Sequence, residues 1–190
     1  MNIVKHLSQL CFSTVFLIAT VTTCHAANHN HKETGLPTFC NSENVGLTPN
    51  CGKTPTAAFD NKGILWIVYV DNGFIKLSSS HDKGKTFSNG VNINPEKEKI
   101  YADGENRPKI AFGNESQIYI SWVKKTEGRY TGDIRFSRSI DKGKTFSAPL
   151  TINDDGLLTS HRFDTLAVGP DGRIHLVWLE KLKPLSIDVA

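Results

Sequence analysis

Ser80-His81-Asp82-Lys83-Gly84-Lys85-Thr86-Phe87 recurs as Ser139-Ile140-Asp141-Lys142-Gly143-Lys144-Thr145-Phe146, agreeing at seven of eight positions and lying 59 residues downstream. The residue types describe a tight polar turn. An Asp carboxylate can accept backbone N–H bonds within such a turn, Gly supplies a position with φ > 0, and the Ser and Thr hydroxyls tie off further backbone groups. The closing Phe anchors the hairpin to whatever lies beneath it.

A second element repeats upstream of each turn. Ala58-Phe59-Asp60-Asn61-Lys62-Gly63-Ile64-Leu65-Trp66-Ile67-Val68-Tyr69 aligns with the stretch from Ala111 to Trp122, and again with the stretch from Ala167 to Trp178. Each copy holds a short apolar strand, a turn rich in Asn, Asp and Gly, and a β-branched and aromatic strand. After a variable loop come a third strand (Ile75 to Ser79; Asp133 to Ser139), the Asp turn, and a fourth strand ending in Ile93-Asn94 or Ile152-Asn153. Four antiparallel strands repeated every 50–60 residues describe the blades of a β-propeller. The expected fold is all-β, with two complete four-stranded blades (54–106 and 107–160) and the first two strands of a third (163–181). Propellers carry at least four blades, so the expectation is an incomplete ring that missing blades or a partner would have to close.

The turn Ser-x-Asp-x-Gly-x-Thr-Phe resembles the Asp-box (BNR repeat) of the sialidase superfamily, and the resemblance covers about 54–181. It implies a sialidase-like propeller, of which this chain would be a partial member. It also implies that the turn joins the third and fourth strands at the rim, away from any catalytic centre. Ser80, Asp82, Gly84, Thr86 and Phe87, with Ser139, Asp141, Gly143, Thr145 and Phe146, are accordingly read as structural.

Composition agrees with an ordinary globular domain: 190 residues, 38% apolar and 22% charged, with a net charge of +3. So slight an excess, without a basic stripe, gives no reason to expect a nucleic-acid partner. Residues 1–26 read as a secretory signal, with Lys5 and His6 ahead of an apolar run and Cys24-His25-Ala26 offering cleavage after Ala26. The expected location is therefore secreted or periplasmic; a lipid-bearing Cys24 is the rival reading. The mature chain has no apolar stretch long enough to span a membrane as a helix. Segment 27–53 retains Cys40 and Cys51, whose even count in an exported protein argues for a disulfide, with two unpaired thiols as the alternative. By loop-closure entropy such a clip contributes roughly 3 kcal/mol. His29 and His31 would give the N-terminal tail only incidental metal affinity, no metal site is read from the sequence, and residues 182–190 read as an irregular tail.

Sialidases, by the resemblance, hold a substrate carboxylate with three arginines and use an Asp as acid/base and a Tyr–Glu pair as nucleophile. Arg suits the task because its rigid fork meets a carboxylate bidentately. Ahead of the first blade this chain reads Gly52-Lys53-Thr54-Pro55, with no Arg at the family's Arg-x-Pro position. Arg107-Pro108 and His161-Arg162 stand at the corresponding places of the next two units, where Arg107 and Arg162 would either bind ligand or pair with Asp103, Glu105 or Asp164. The loops between second and third strands contribute Asp71 as candidate acid/base, and Glu127 and Tyr130, with His161, as candidate sugar contacts; the alternative is that these exposed loop acids are simply solvated. The expectation is a secreted sialidase-like protein related to exo-sialidases acting on sialic-acid-type sugars. It would lack a complete active site, be inactive and need no cofactor. The alternative is a non-catalytic propeller that binds or scaffolds, with a carbohydrate partner in either case.

Overall fold

Leu65-Trp66-Ile67-Val68-Tyr69-Val70 packs β-branched and aromatic side chains too densely for a helix but suits a pleated surface buried on both faces. The computed structural model describes residues 49–181, so the expectations for segment 1–26, for Cys40 and for 182–190 lie outside the described residues. Within them the strands are β1 (Lys53–Phe59), β2 (Leu65–Asp71), β3 (Phe74–Ser80) and β4 (Val91–Asn92), then β5 (Lys109–Phe112), β6 (Ile118–Lys125), β7 (Gly132–Ser139) and β8 (Leu150–Thr151), and lastly β9 (His161–Val168) and β10 (Ile174–Glu180). They form two antiparallel four-stranded sheets in chain order, β1 to β4 and β5 to β8, and a two-stranded sheet of β9 and β10. The described fold is all-β and built of propeller-type blades, two of them complete. Cys51, just ahead of β1, is buried and disulfide-bonded.

Local chemistry sets the turns. Asn72 and Gly73 both have positive φ, 46° and 85°, which gives the β2–β3 hairpin a two-residue turn that follows the strand twist. In the β1–β2 turn, Asp60 Oδ1 accepts the Lys62 and Ile64 amides at 2.9 Å each, and Oδ2 accepts the Trp66 indole N–H at 3.0 Å. The fourth strands are shorter than the sequence implied, two residues each. The Ile-Asn pairs that follow continue the ladder by other means. Ile93 N–H donates to Ile75 C=O at 2.8 Å while Asn94 Oδ1 accepts the Ile75 amide at 2.7 Å. Ile152 and Asn153 do the same for Ile134, both at 2.9 Å. A side-chain amide thus stands in for the next residue of a strand.

The core lies between sheets. Trp66, Val68, Val70, Ile75 and Leu77 of the first sheet meet Ile118, Ile120 and Trp122 of the second in one cluster, joined by Ile93 and Ile100 of the connecting segment. Tyr101, Val123 and Ile134 form a second cluster against Leu176 and Trp178 of the third sheet. Each buried Val, Ile or Leu stabilises by about 1.5–3 kcal/mol. The one polar group of Trp122 is satisfied, since its indole N–H donates to Glu98 at 2.8 Å, and Glu98 also pairs with Arg135 at 3.3 Å.

Both Asp turns have the same internal bonding. Asp82 Oδ1 accepts the Ser80 hydroxyl at 2.8 Å and the Thr86 amide at 2.9 Å, while Oδ2 accepts the Thr86 hydroxyl at 2.6 Å. Asp141 takes the equivalent bonds from Ser139 and Thr145 at 2.7, 2.9 and 2.6 Å. The Thr hydroxyl bond leads in holding each carboxyl down at about 2, helped by the Thr amide and the Ser hydroxyl. The second turn also meets the first sheet: a Cβ added at Gly143 (φ +75°) would lie 3.1 Å from Trp66, 3.2 Å from Leu77 and 3.3 Å from Ile118.

Two outcomes follow from this geometry. Gly143→Ala should cost about 2–4 kcal/mol in urea denaturation, from left-handed strain plus overpacking, against about 1 kcal/mol for Gly63→Ala. Gly63 has a similar φ of +77° but nothing within 4 Å. Equal costs would contradict the inter-sheet role of the turn. Because Asp82 and Asp141 fall from 3.8 to about 2 on folding, their stabilisation is complete above pH 4 and is lost as pH falls towards 2. Thermal unfolding from pH 5 to 2 should therefore drop less steeply in Asp141→Asn than in the wild type.

Candidate functional site

The topology sends two classes of loop to opposite ends of the sheets. The Asp turns follow the C-terminal ends of β3 and β7, whereas the β2–β3 and β6–β7 hairpins close at the other end, where Asp71 pairs with Phe74 and Lys125 with Gly132. β1, β5 and β9 begin at that second end too. Their starts are tied together across sheets: the Thr56 hydroxyl donates to Pro108 C=O at 2.6 Å, and the Phe163 amide donates to Asn106 Oδ1 at 3.3 Å. Every candidate ligand or acid/base residue from the sequence lies on this strand-start face.

A shared irregularity shapes it. Register slips between Lys53 and Thr56 in β1, and opposite Val177 and Leu179 in β9, mark β-bulges. Thr54 and Phe163, at the corresponding positions, have φ of 47° and 59°. A non-glycine residue held there costs about 1–2 kcal/mol, and bulges of this kind re-aim the side chains beside them. By the spacing of the repeats, Arg162 occupies the place of Lys53 and Asn106, while Arg107 occupies that of Thr54 and Phe163. The two arginines that look equivalent in sequence are one position out of step.

They also differ in surroundings. Arg107 is exposed and donates from Nε to Gly104 C=O at 3.1 Å. Arg162 is half-buried, its guanidinium 4.5 Å from the ring centre of Tyr101, 4.7 Å from Phe163 and 5.6 Å from Tyr130. Among the described residues neither arginine forms an ion pair, and the buried Nε–H of Arg162 has no acceptor. Tyr130, at φ 62° and 56% exposed, forms the outer wall of this cage and accepts a bond from Arg129 at 3.1 Å. Tyr101 is carried in by segment 99–101, which pairs with the end of β6 through Ile100 and Lys124.

Two residues after Arg162, β9 carries a buried carboxyl. Asp164 accepts the Ser121 hydroxyl at 2.5 Å and lies 4.0 Å from Lys109 Nζ, which itself donates to the carbonyls of Glu105 (2.7 Å) and Arg107 (2.6 Å). Burial pushes the Asp164 carboxyl up from its ordinary value, only partly offset by Ser121 and Lys109. Burial likewise pushes the Lys109 ammonium down, against the opposing pull of Asp164 and Glu105. Both shifts have one origin, the cost of keeping charge out of water.

The structure thus brings Arg162 and Tyr130 together and leaves other candidates apart from them. Asp71 is buried at the end of β2 and paired with Lys76 at 3.2 Å. Glu127 is exposed in the β6–β7 loop. His161 is fully buried, with Nδ1 3.0 Å from Gly132 C=O and Nε2 3.1 Å from Asp155. Tyr101, Phe163, Lys109 and Asp164 complete the arrangement. No motif marks Tyr101; Asp164 was visible only as a possible partner for Arg162. At the opposite end a cavity of about 230 Å³ between the first two sheets is lined by Asp60, Trp66, Phe112, Ile118 and Lys142, and includes none of these groups.

No protein-family profile matches the chain, and no curated protein matches it. Among solved structures it is similar to an ulvan lyase of polysaccharide lyase family PL25, at 15% identity and TM-score 0.50, over 71% of this chain and 38% of that one. It is also similar to the intramolecular trans-sialidase of Ruminococcus gnavus (19% identity, TM-score 0.44, 65% of this chain and 27% of that one). A third is the GH93 α-L-arabinofuranosidase of Fusarium graminearum (18% identity, TM-score 0.46, 71% and 42%). What is shared is the fold, and the chain spans less than half the length of each.

Since folding raises the Asp164 carboxyl above 3.8, the stability gained from its bound proton is complete below that pH and lost as pH rises through the folded value. Asp164→Asn removes this dependence. The melting temperature of the variant relative to wild type should climb from pH 4 to pH 7; a difference independent of pH would contradict the assignment.

Proposed function

We propose that the protein binds a carboxylated sugar on the strand-start face, with Arg162 as the carboxylate ligand and Tyr130 and Phe163 as apolar walls against the ring. One observation carries the reading: a half-buried guanidinium, caged by three aromatic rings, without an ion pair or hydrogen bond among the described residues. Stacking on rings holds the fork without consuming its two terminal NH2 groups, which remain for the bidentate geometry a carboxylate offers, while the Nε–H is buried. The fold supports a glycan partner, since the ulvan lyase that shares it acts, by its name, on a polysaccharide. Kinship with the sialidase superfamily rests on the two Ser-x-Asp-x-Gly-x-Thr-Phe turns, and makes sialic-acid-type sugars the first candidates.

Binding is proposed without hydrolysis. Asp71, the residue placed as acid/base, is buried and held by Lys76 at 3.2 Å, so its carboxylate faces a cation of its own chain rather than the open face. Secretion through segment 1–26 belongs to the same reading and places the protein where free glycans occur. Among the described residues no helix is long and apolar enough to cross a membrane.

Calorimetric titration of the full chain with N-acetylneuraminic acid should give saturable binding that its methyl ester lacks. Arg162→Ala should weaken it by about tenfold or more, the loss of one charge-assisted contact of about 1.5–3 kcal/mol. Arg162→Lys should recover only part, and no fluorophore should be released from an aryl sialoside. Equal affinity of acid and ester, or an unaffected Arg162→Ala, would sink the reading.

A further inference from the structure

The buried histidine beside the cage points to a second site, independent of sugar binding. We infer that His161, Asp155 and Glu180 form a binding site for one divalent first-row transition ion of the zinc type, which clamps the loop before β9 onto the β9–β10 hairpin.

The three side chains come from three places. Asp155 lies in the loop after β8, His161 opens β9, and Glu180 closes β10 as the cross-strand partner of His161. The imidazole is fully buried, with Nδ1 3.0 Å from Gly132 C=O. A carbonyl can only accept, so Nδ1 carries the hydrogen. In the neutral ring Nε2 then presents a bare lone pair. That lone pair faces Asp155 Oδ2 at 3.1 Å and Glu180 Oε1 at 3.7 Å, and the three ligand atoms all lie within 4.8 Å of one another. Two carboxylates and a lone pair converging on one point repel unless a cation stands between them.

The spacing fits a metal. Zinc bonds of about 2.0–2.2 Å in tetrahedral geometry place ligand atoms about 3.3–3.6 Å apart, between the 3.1 and 3.7 Å found from Nε2 to the two carboxylates. Gly132 C=O fixes the imidazole tautomer, and the Leu157 amide donates to Asp155 Oδ1 at 3.2 Å, leaving Oδ2 for the ion. Asp155 and Glu180 keep 26% and 29% of their side-chain surface exposed, so a fourth position opens to solvent water. An imidazole nitrogen with two carboxylates suits zinc or manganese better than calcium or magnesium, which take oxygen ligands in larger number or with more water. The alternative occupant is a proton, which would make His161 an imidazolium paired with both acids.

Chelator-treated full-length protein titrated with ZnCl2 should bind one ion saturably and melt at a higher temperature, while CaCl2 at the same concentration should give no shift. Asp155→Asn and Glu180→Gln keep the size and hydrogen-bonding shape of each side chain and should each weaken zinc binding by about tenfold or more. A His29→Ala/His31→Ala variant, which removes the N-terminal histidines, should bind as the wild type does. Absence of zinc binding, binding that survives Asp155→Asn with Glu180→Gln, or binding lost with the N-terminal histidines would overturn the site. The thermal shift needs no sugar, so this outcome and that of Arg162→Ala are read separately.

Discussion

Everything in this fold depends on the need to cover both faces of a small, strongly apolar sheet. β2 and β6 carry bulky side chains on each face, and a four-stranded sheet cannot bury them alone. Trp66 and Leu77 of the first sheet therefore pack against Ile118, Ile120 and Trp122 of the second, and Val123 and Ile134 turn towards Leu176 and Trp178 of the third. Stacking repeated sheets in this way fixes the period of the sequence. It also explains why the Asp turn is so closely specified: Gly143 sits against Trp66, Leu77 and Ile118, where even a methyl group would crowd all three.

The stacking divides the molecule into an end that holds structure and an end free to vary. At the Asp-turn end each carboxylate spends its lone pairs on its own turn, with little left for chemistry. At the strand-start end the bonds run between sheets, from Thr56 to Pro108 and from Phe163 to Asn106, and two bulges displace the first residues of β1 and β9. There the chain places an arginine, without an ion pair among the described residues, over aromatic rings, and a buried carboxyl two residues further along β9. Backbone strain at Thr54 and Phe163 is tolerated where side chains need to be aimed rather than packed.

The architecture was legible in the sequence because it is written in local chemistry repeated at a fixed interval. Asp82 and Asp141, Trp66 and Trp122, and the alternation along β2 and β6 each announce their own surroundings. The short fourth strands were not, because Asn94 and Asn153 replace strand pairing through side-chain bonds that no strand pattern encodes. The face was legible only as a set of loops. Arg107 and Arg162 look alike in sequence, yet they stand one position apart in the repeat, with one in solvent and the other in a cage. Tyr101 reaches that cage through the pairing of Ile100 with Lys124, a contact set by the stacking of sheets. His161 reads as a surface ligand beside Arg162, but alternation along β9 turns it inward towards Gly132, Asp155 and Glu180.

In this reading the Arg162 guanidinium is held ready for an external carboxylate. This readiness is tested most directly by following the arginine Nε–Hε resonances of isotope-labelled protein while N-acetylneuraminic acid is added. A guanidinium that binds the ligand should give a saturable shift at Arg162, with exposed Arg107 and Arg129 unmoved. A silent Arg162, or equal small drifts at all three arginines, would contradict it.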